Sequence, residues 1–154
     1  MITTPEAIVT QEITTAVVPL KIPGQDMGKY MDAAIQEVIK TITGQGIAIT
    51  GPLFSFHKRR PGSTFDFELG FPVAAPIKAE GRVVNSKLPA AKVVRAVYQG
   101  PYDDLGKAWG ALQQWVREHG HGESGRFWES YLNAPDEVRD PREYRTELNW
   151  IAGD

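Results

Sequence analysis

Apolar positions along this chain switch between two periods, and the switches come in the same order twice. Residues 6–20 alternate loosely and are rich in Val, Ile and Thr, the period and composition of a strand. Pro23-Gly24 breaks it. Asp26 is placed to cap a helix in which Met27, Tyr30, Met31, Ala34, Ile35, Val38, Ile39 and Ile42 recur at helical spacing, and Gly44 and Gly46 end it. Residues 47–58 and 64–74 read as two strands joined by Arg59-Arg60-Pro61-Gly62-Ser63, where Pro61-Gly62 is the turn signal. Residues 75–91 bridge to the second round. Lys92–Gln99 reads as a strand, Gly100-Pro101 breaks it, and Asp103 or Asp104 caps a helix with Leu105, Ala108, Trp109, Leu112, Trp115 and Val116 as its stripe. Gly120, Gly122 and Gly125 end that helix. Phe127–Leu132 and Tyr144–Ala152 are the last strands, separated by the turn residues Asn133-Ala134-Pro135.

The two rounds are also similar residue by residue. Asp26-Met27-Gly28-Lys29, followed by Met31 and Ala33, returns as Asp104-Leu105-Gly106-Lys107, followed by Trp109 and Ala111, at an offset of 78 residues. Phe67-Glu68-Leu69-Gly70-Phe71-Pro72-Val73 lies against Thr146-Glu147-Leu148-Asn149-Trp150-Ile151-Ala152 at an offset of 79. The expectation is one domain over residues 1–154 with an internal repeat, residues 6–74 and 92–152. It is an α+β fold of two pseudo-symmetric strand–helix–strand–strand modules with a mainly antiparallel sheet and the helices on one face. No third long helical pattern is available to cover the other face, which suits a concave ligand cleft. Ligands favour such seams between packed halves.

Bulk properties narrow the classes. A chain of 154 residues is long enough to bury a proper core. The formal net charge of −2 argues against direct nucleic-acid binding, which calls for a basic face. With no cysteine there is no disulfide, thiolate nucleophile or zinc–thiolate site, which fits a cytosolic protein. The N-terminal MITTPEAIVT has neither the basic nor the apolar region of a signal peptide, and no run reaches the length of a membrane span.

In Phe127-Trp128-Glu129-Ser130-Tyr131-Leu132, alternation puts Phe127, Glu129 and Tyr131 on one face. A glutamate between two aromatics on a strand runs against propensity. It fits a carboxylate in an aromatic-lined pocket, where ring faces and charge attract the same cation, or a general base with a burial-raised pKa. The alternative is an exposed glutamate on a solvated strand. Glu68 and Glu147 hold matching places in the two repeats. A solvated strand face is the favoured reading of Glu68 and the slightly favoured one of Glu147. All four tryptophans, Trp109, Trp115, Trp128 and Trp150, lie in the second repeat, and core is the default for large aromatics. Tyr98 and Tyr102 flank Gly100-Pro101, where they can line a pocket mouth or, more commonly, pack the turn. His119 and His121 with Glu118 and Glu123 form only a weak metal pattern, because His57 is the one other histidine. No metal or other cofactor is expected. Lys58-Arg59-Arg60 reads as a solvated hairpin tip.

Three stretches together resemble the GyrI-like small-molecule-binding family: Val94–Gly106 followed by a Trp-bearing helix, Trp128-Glu129-Ser130-Tyr131-Leu132-Asn133-Ala134-Pro135, and the closing Tyr144-Arg145-Thr146-Glu147-Leu148. The resemblance covers essentially the whole chain, most clearly residues 92–152. It implies the effector-binding domain of multidrug-sensing transcription regulators, in which a buried strand glutamate meets cationic aromatic drugs, and Glu129 falls at the matching place. It also implies two alternatives, a hydrolase of cyclopropane-type electrophiles and a module that inhibits a protein partner such as DNA gyrase. A related haem-binding fold exists, but no histidine here faces a pocket from a helix. The regulators' DNA-binding domain is not expected here, and the first repeat has Ile22-Pro23-Gly24-Gln25-Asp26 in place of the Gly-Pro-Tyr turn, so the two repeats are expected to contribute unequally.

The expected function is therefore stand-alone, cytoplasmic binding of a small organic molecule, aromatic and cationic or polarised, in a cleft between the repeats. Glu129 supplies the charge, and Tyr98, Tyr102, Trp109, Phe56, Phe71, Tyr131 and Trp150 are the walls. If the protein is an enzyme, Glu129 or Glu147 is the base.

Overall fold

The computed structural model describes residues 2–23, 27–58, 64–122, 124–133 and 140–153. The Asp26 cap, the Arg59–Ser63 turn, Glu123 and the Ala134-Pro135 step lie outside them. Among the described residues, eight antiparallel strands and two α-helices divide into two compact units, Gln11–Ala90 and Met1–Thr10 with Ala91–Asp154. No helix among the described residues is long and apolar enough to cross a membrane.

In the unit Gln11–Ala90, β2 (Ile13–Pro23), α1 (Met27–Gly44), β3 (Phe54–His57), β4 (Thr64–Pro72) and β5 (Val84–Leu88) follow one another. The strands lie in the order β3-β4-β2-β5. Ala16, Val18, Leu20 and Ile22 of β2 and Phe67 and Leu69 of β4 face Ala34, Val38 and Ile42 of α1 and form the core of this unit. The alternation of β2 and the 3.6-residue period of α1 are what bring these two apolar faces together. Pro19 interrupts no ladder on the β5 side, because β5 pairs only with Ile13–Val17. Gly70 is required by close approach, since a Cβ there would run into the carbonyl oxygen of Ala16.

The other unit has a strand, helix, strand, strand order of its own. β6 (Lys92–Gln99), a short 3-10 turn Tyr102–Asp104, α2 (Leu105–Glu118), β7 (Phe127–Tyr131) and β8 (Arg145–Ile151) are joined by β1 (Glu6–Val9). The order is β7-β8-β6-β1. Val94, Ala96 and Tyr98 of β6 and Leu148 and Trp150 of β8 pack against Ala108, Trp109, Leu112 and Val116 of α2.

Two details differ from the sequence expectation. Residues 6–20 are not one strand: β1 ends at Val9, β2 begins at Ile13, and the two belong to different units. The bridge at residues 75–91 carries β5, which pairs back onto β2. Each first strand, β2 or β6, thereby gains a second neighbour, which shields its backbone groups from edge pairing.

Candidate functional site

Glu129 sits mid-strand in β7, directly opposite Leu148 on β8. It shares a strand face with Phe127, which packs in the α2 core, so the carboxylate lies on the helix side of this unit. The sequence expectation had put the ligand surface on the side away from the helices. Both carboxylate oxygens are engaged by aromatic residues. The Trp109 indole N–H, reaching from α2, donates to Oε1 at 2.5 Å. The Tyr131 hydroxyl, two residues along β7, donates to Oε2 at 2.9 Å. Glu129 is half-buried. Burial raises its pKa above the usual carboxylate range, and the Trp109 and Tyr131 hydrogen bonds pull it partway back.

A row of tyrosines continues outward. Tyr102 meets Tyr131 edge-on at 6.0 Å and stacks on Tyr144 at 4.8 Å. Tyr102 is 38% exposed. Burial first, then Tyr144 and the negative Glu129, raise its phenol pKa. The Gly100-Pro101 junction holds this row in place: the Tyr98 hydroxyl donates to the Pro101 carbonyl at 2.7 Å, and Gly100 N–H donates to the Tyr144 carbonyl at 2.8 Å. Asn133 secures the other side, accepting from Arg145 N–H at 3.0 Å and donating to the Glu143 carbonyl at 3.1 Å.

Among the residues singled out in the sequence, the structure brings Glu129, Trp109, Tyr131 and Tyr102 together. Tyr98 is buried with its hydroxyl on the turn. Trp150 is buried behind Trp109 and Phe127, at ring distances of 6.3 and 5.9 Å. Phe56 and Phe71 belong to the other unit, Phe56 buried and Phe71 packed against the α1 core. Glu147 lies on the opposite face of β8 from Leu148, within 3.3 Å of Arg95 and accepting from Asn149 at 3.2 Å. Glu68 is not solvated: it is 8% exposed, accepts from the Ser86 hydroxyl at 2.6 Å and pairs with Lys58 at 3.0 Å. His119 and His121 lie parallel to the indole of Trp115, at 3.8 and 5.5 Å. Tyr144 was missed as a wall: the sequence reading made it the first residue of the last strand, whereas β8 begins at Arg145 and Tyr144 closes the 3-10 turn Pro141–Glu143 before it.

The unit Gln11–Ala90 has no carboxylate at the corresponding strand position. Strand register puts Ser55 opposite Leu69, as Glu129 is opposite Leu148, and His57 opposite Phe67, as Tyr131 is opposite Thr146. His57 is buried and stacked on Phe67 at 5.1 Å, and burial lowers its pKa to about 4. An open hollow of about 310 Å³ in the α2 unit is lined by Ile2, Tyr98, Asp104, Lys107, Ala108 and Ala111 and includes none of the Glu129 group. The chemistry, a carboxylate held by aromatic donors, lies elsewhere.

A family model described as the GyrI-like small molecule binding domain matches residues 4–150. The chain belongs to the GyrI-like family. No curated protein matches this GyrI-like domain in sequence. Among solved structures, the EcmrR C-terminal domain is similar at a TM-score of 0.87 and 23% identity, over 98% of each chain. In the EcmrR–DNA complex the TM-score is again 0.87, at 22% identity, and 98% of this GyrI-like domain spans 57% of the EcmrR chain. A hydrolase encoded by lin2189 from Listeria innocua is similar at 0.64 and 15% identity, over 97% of this chain and 91% of that one. SAV2435 bound to tetraphenylphosphonium is similar at 0.69 and 10% identity, over 98% and 94%. At these identities the likenesses show the GyrI-like fold.

Proposed function

We propose that this domain binds a small aromatic cation at Glu129. The observation that carries the reading is a half-buried carboxylate whose two oxygens accept from Trp109 and Tyr131, with Tyr102 and Tyr144 extending the aromatic row. Aromatic faces attract a cation, and a carboxylate removed from bulk water attracts it more strongly than one in water. The Trp109 and Tyr131 donors keep the charge acceptable until a cation arrives. SAV2435, a protein of the same fold, was solved with tetraphenylphosphonium, a cation bearing four phenyl rings, and this supports the reading. Only the α2 unit carries the acid at this strand position, so one cationic centre suffices.

Calorimetric titration of tetraphenylphosphonium tests it. Glu129→Gln should weaken binding by about 2–3 kcal/mol, the Coulomb attraction of two unit charges roughly 6–8 Å apart at an effective dielectric of about 20, and should leave a neutral aromatic of similar shape nearly unaffected. Equal losses for both ligands would refute the assignment of the charge. A second reading, hydrolysis of an electrophilic small molecule, is favoured by the raised pKa of Glu129, which suits a general base. Return of a cyclopropane-bearing electrophile unchanged would exclude it for that substrate.

A further inference from the structure

Thr146 stands on β8 directly across from Tyr131 on β7 and from Tyr98 on β6. It alternates with Leu148 and Trp150, so it faces α2, as Glu129 does. Glu129 pairs with Leu148, two residues along β8, which makes Glu129 and Thr146 diagonal neighbours, roughly 7–8 Å apart in a regular ladder. Thr146 is 0% exposed, and its hydroxyl has no hydrogen-bond partner among the described residues. The two hydroxyls beside it are committed elsewhere, Tyr98 to the Pro101 carbonyl and Tyr131 to Glu129.

A buried hydroxyl without a partner is a net cost, and valine fills the same shape on a strand without it. The oxygen therefore does nothing for the free protein that a methyl group would not do better. It acquires a use if the site has a second state. Tyr131 lies across from Thr146 and holds its own hydroxyl on Glu129 Oε2. A cation that takes this oxygen would displace the Tyr131 hydroxyl, the group held directly across the ladder from Thr146.

We propose that the Thr146 hydroxyl is a second polar contact of the site, and that the ligand is an aromatic cation carrying an uncharged hydrogen-bonding group such as a phenol or alcohol. The charge goes to Glu129, and the neutral group, one ring away, goes to Thr146. This rests on the reading of Glu129 as the cation's partner.

The test uses the full chain and two probes, tetraphenylphosphonium and (4-hydroxyphenyl)triphenylphosphonium, titrated by calorimetry into the wild type, Thr146→Val, Thr146→Ser and Glu129→Gln. The wild type should prefer the hydroxylated probe by about five- to tenfold, the size of one neutral hydrogen bond. Thr146→Val should abolish that preference with no fall in melting temperature, and Thr146→Ser should retain it. Glu129→Gln should weaken both probes alike. A preference that is absent from the wild type, or that survives Thr146→Val, would overturn the role of Thr146 while leaving Glu129 untouched. Undiminished affinity for both probes in Glu129→Gln, or no binding of either probe by the wild type, would instead overturn the reading of Glu129.

Discussion

Trp109 on α2 donates its indole N–H to Glu129 on β7 at 2.5 Å, tying helix to strand through the one acid on that face of β7. The bond favours the ionised carboxylate, against the burial that disfavours it. Trp109→Phe keeps a ring in the core and removes the donor. The Glu129 pKa should then rise further, because a donor that favours the ionised form is lost while the burial stays. Carbon-detected NMR titration of the carboxyl resonance reads this directly, and an unmoved midpoint would show that the bond is not held in solution.

Cation binding should also depend on pH through Glu129. Only the ionised form holds a cation, so affinity should fall as pH drops through the raised pKa. The stability term has the opposite sense to that of an ordinary salt-bridged carboxylate. The folded state binds the proton more tightly than the unfolded chain, so this contribution is fully present below the unfolded pKa and is lost as pH rises through the folded one. Glu129→Gln should flatten both profiles. Calorimetry and urea denaturation across the acid range check the two halves separately.

Much of the fold was legible because both helices and the repeated strands carry clean periods. The apolar stripe from Leu105 to Val116 is the face that packs in the core. β5 was missed because Val84–Leu88 is half polar, with Asn85, Ser86 and Lys87 in succession. Its strand character comes from pairing with β2, which no local pattern records. Alternation picked out Glu129, an acid where propensity disfavours one, and grouped it with Phe127 and Tyr131. It could not say which of the two faces the helix would cover, so the carboxylate was expected away from α2. Glu68 was read as solvated because alternation set it apart from the Phe67–Leu69 core. Its partners Ser86 and Lys58 come from the unseen β5 and from beyond β3.

His57 gives the other unit a pH dependence of its own. Burial among Phe65 and Phe67 lowers its pKa to about 4, whereas the unfolded chain titrates near the ordinary imidazole value of 6.5. A depressed pKa means that the contribution is present above the unfolded value and lost as pH falls through the folded one. The window is therefore from 6.5 down to about 4. The full effect is on the order of 3 kcal/mol. His57→Phe should remove most of this slope in urea denaturation followed between these limits. A wild-type slope that survives the substitution would assign it to other groups.

Gly100 couples the stability of the α2 unit to the geometry of its site. Its φ of +149° is one that side chains rarely adopt, and a Cβ there would lie 2.6 Å from the Tyr98 hydroxyl. That hydroxyl holds the Pro101 carbonyl, and Gly100 N–H holds the Tyr144 carbonyl. Gly100→Ala should therefore displace Tyr98 and loosen the turn that sets Tyr102 against Tyr144. Backbone strain together with overpacking should cost about 1–3 kcal/mol, read as a lower urea midpoint at an unchanged slope. Binding should suffer beyond this. With the fold still fully populated, tetraphenylphosphonium should bind more weakly to Gly100→Ala, because the Tyr102–Tyr144 stack no longer lies beside Tyr131. Tyr98→Phe separates the two causes: it removes the hydroxyl bond to Pro101 and leaves Gly100 unstrained, so it should reproduce the binding loss with a smaller stability loss. Full affinity in both variants would mean that the tyrosine row is a bystander and that Trp109, Tyr131 and Glu129 make the site alone.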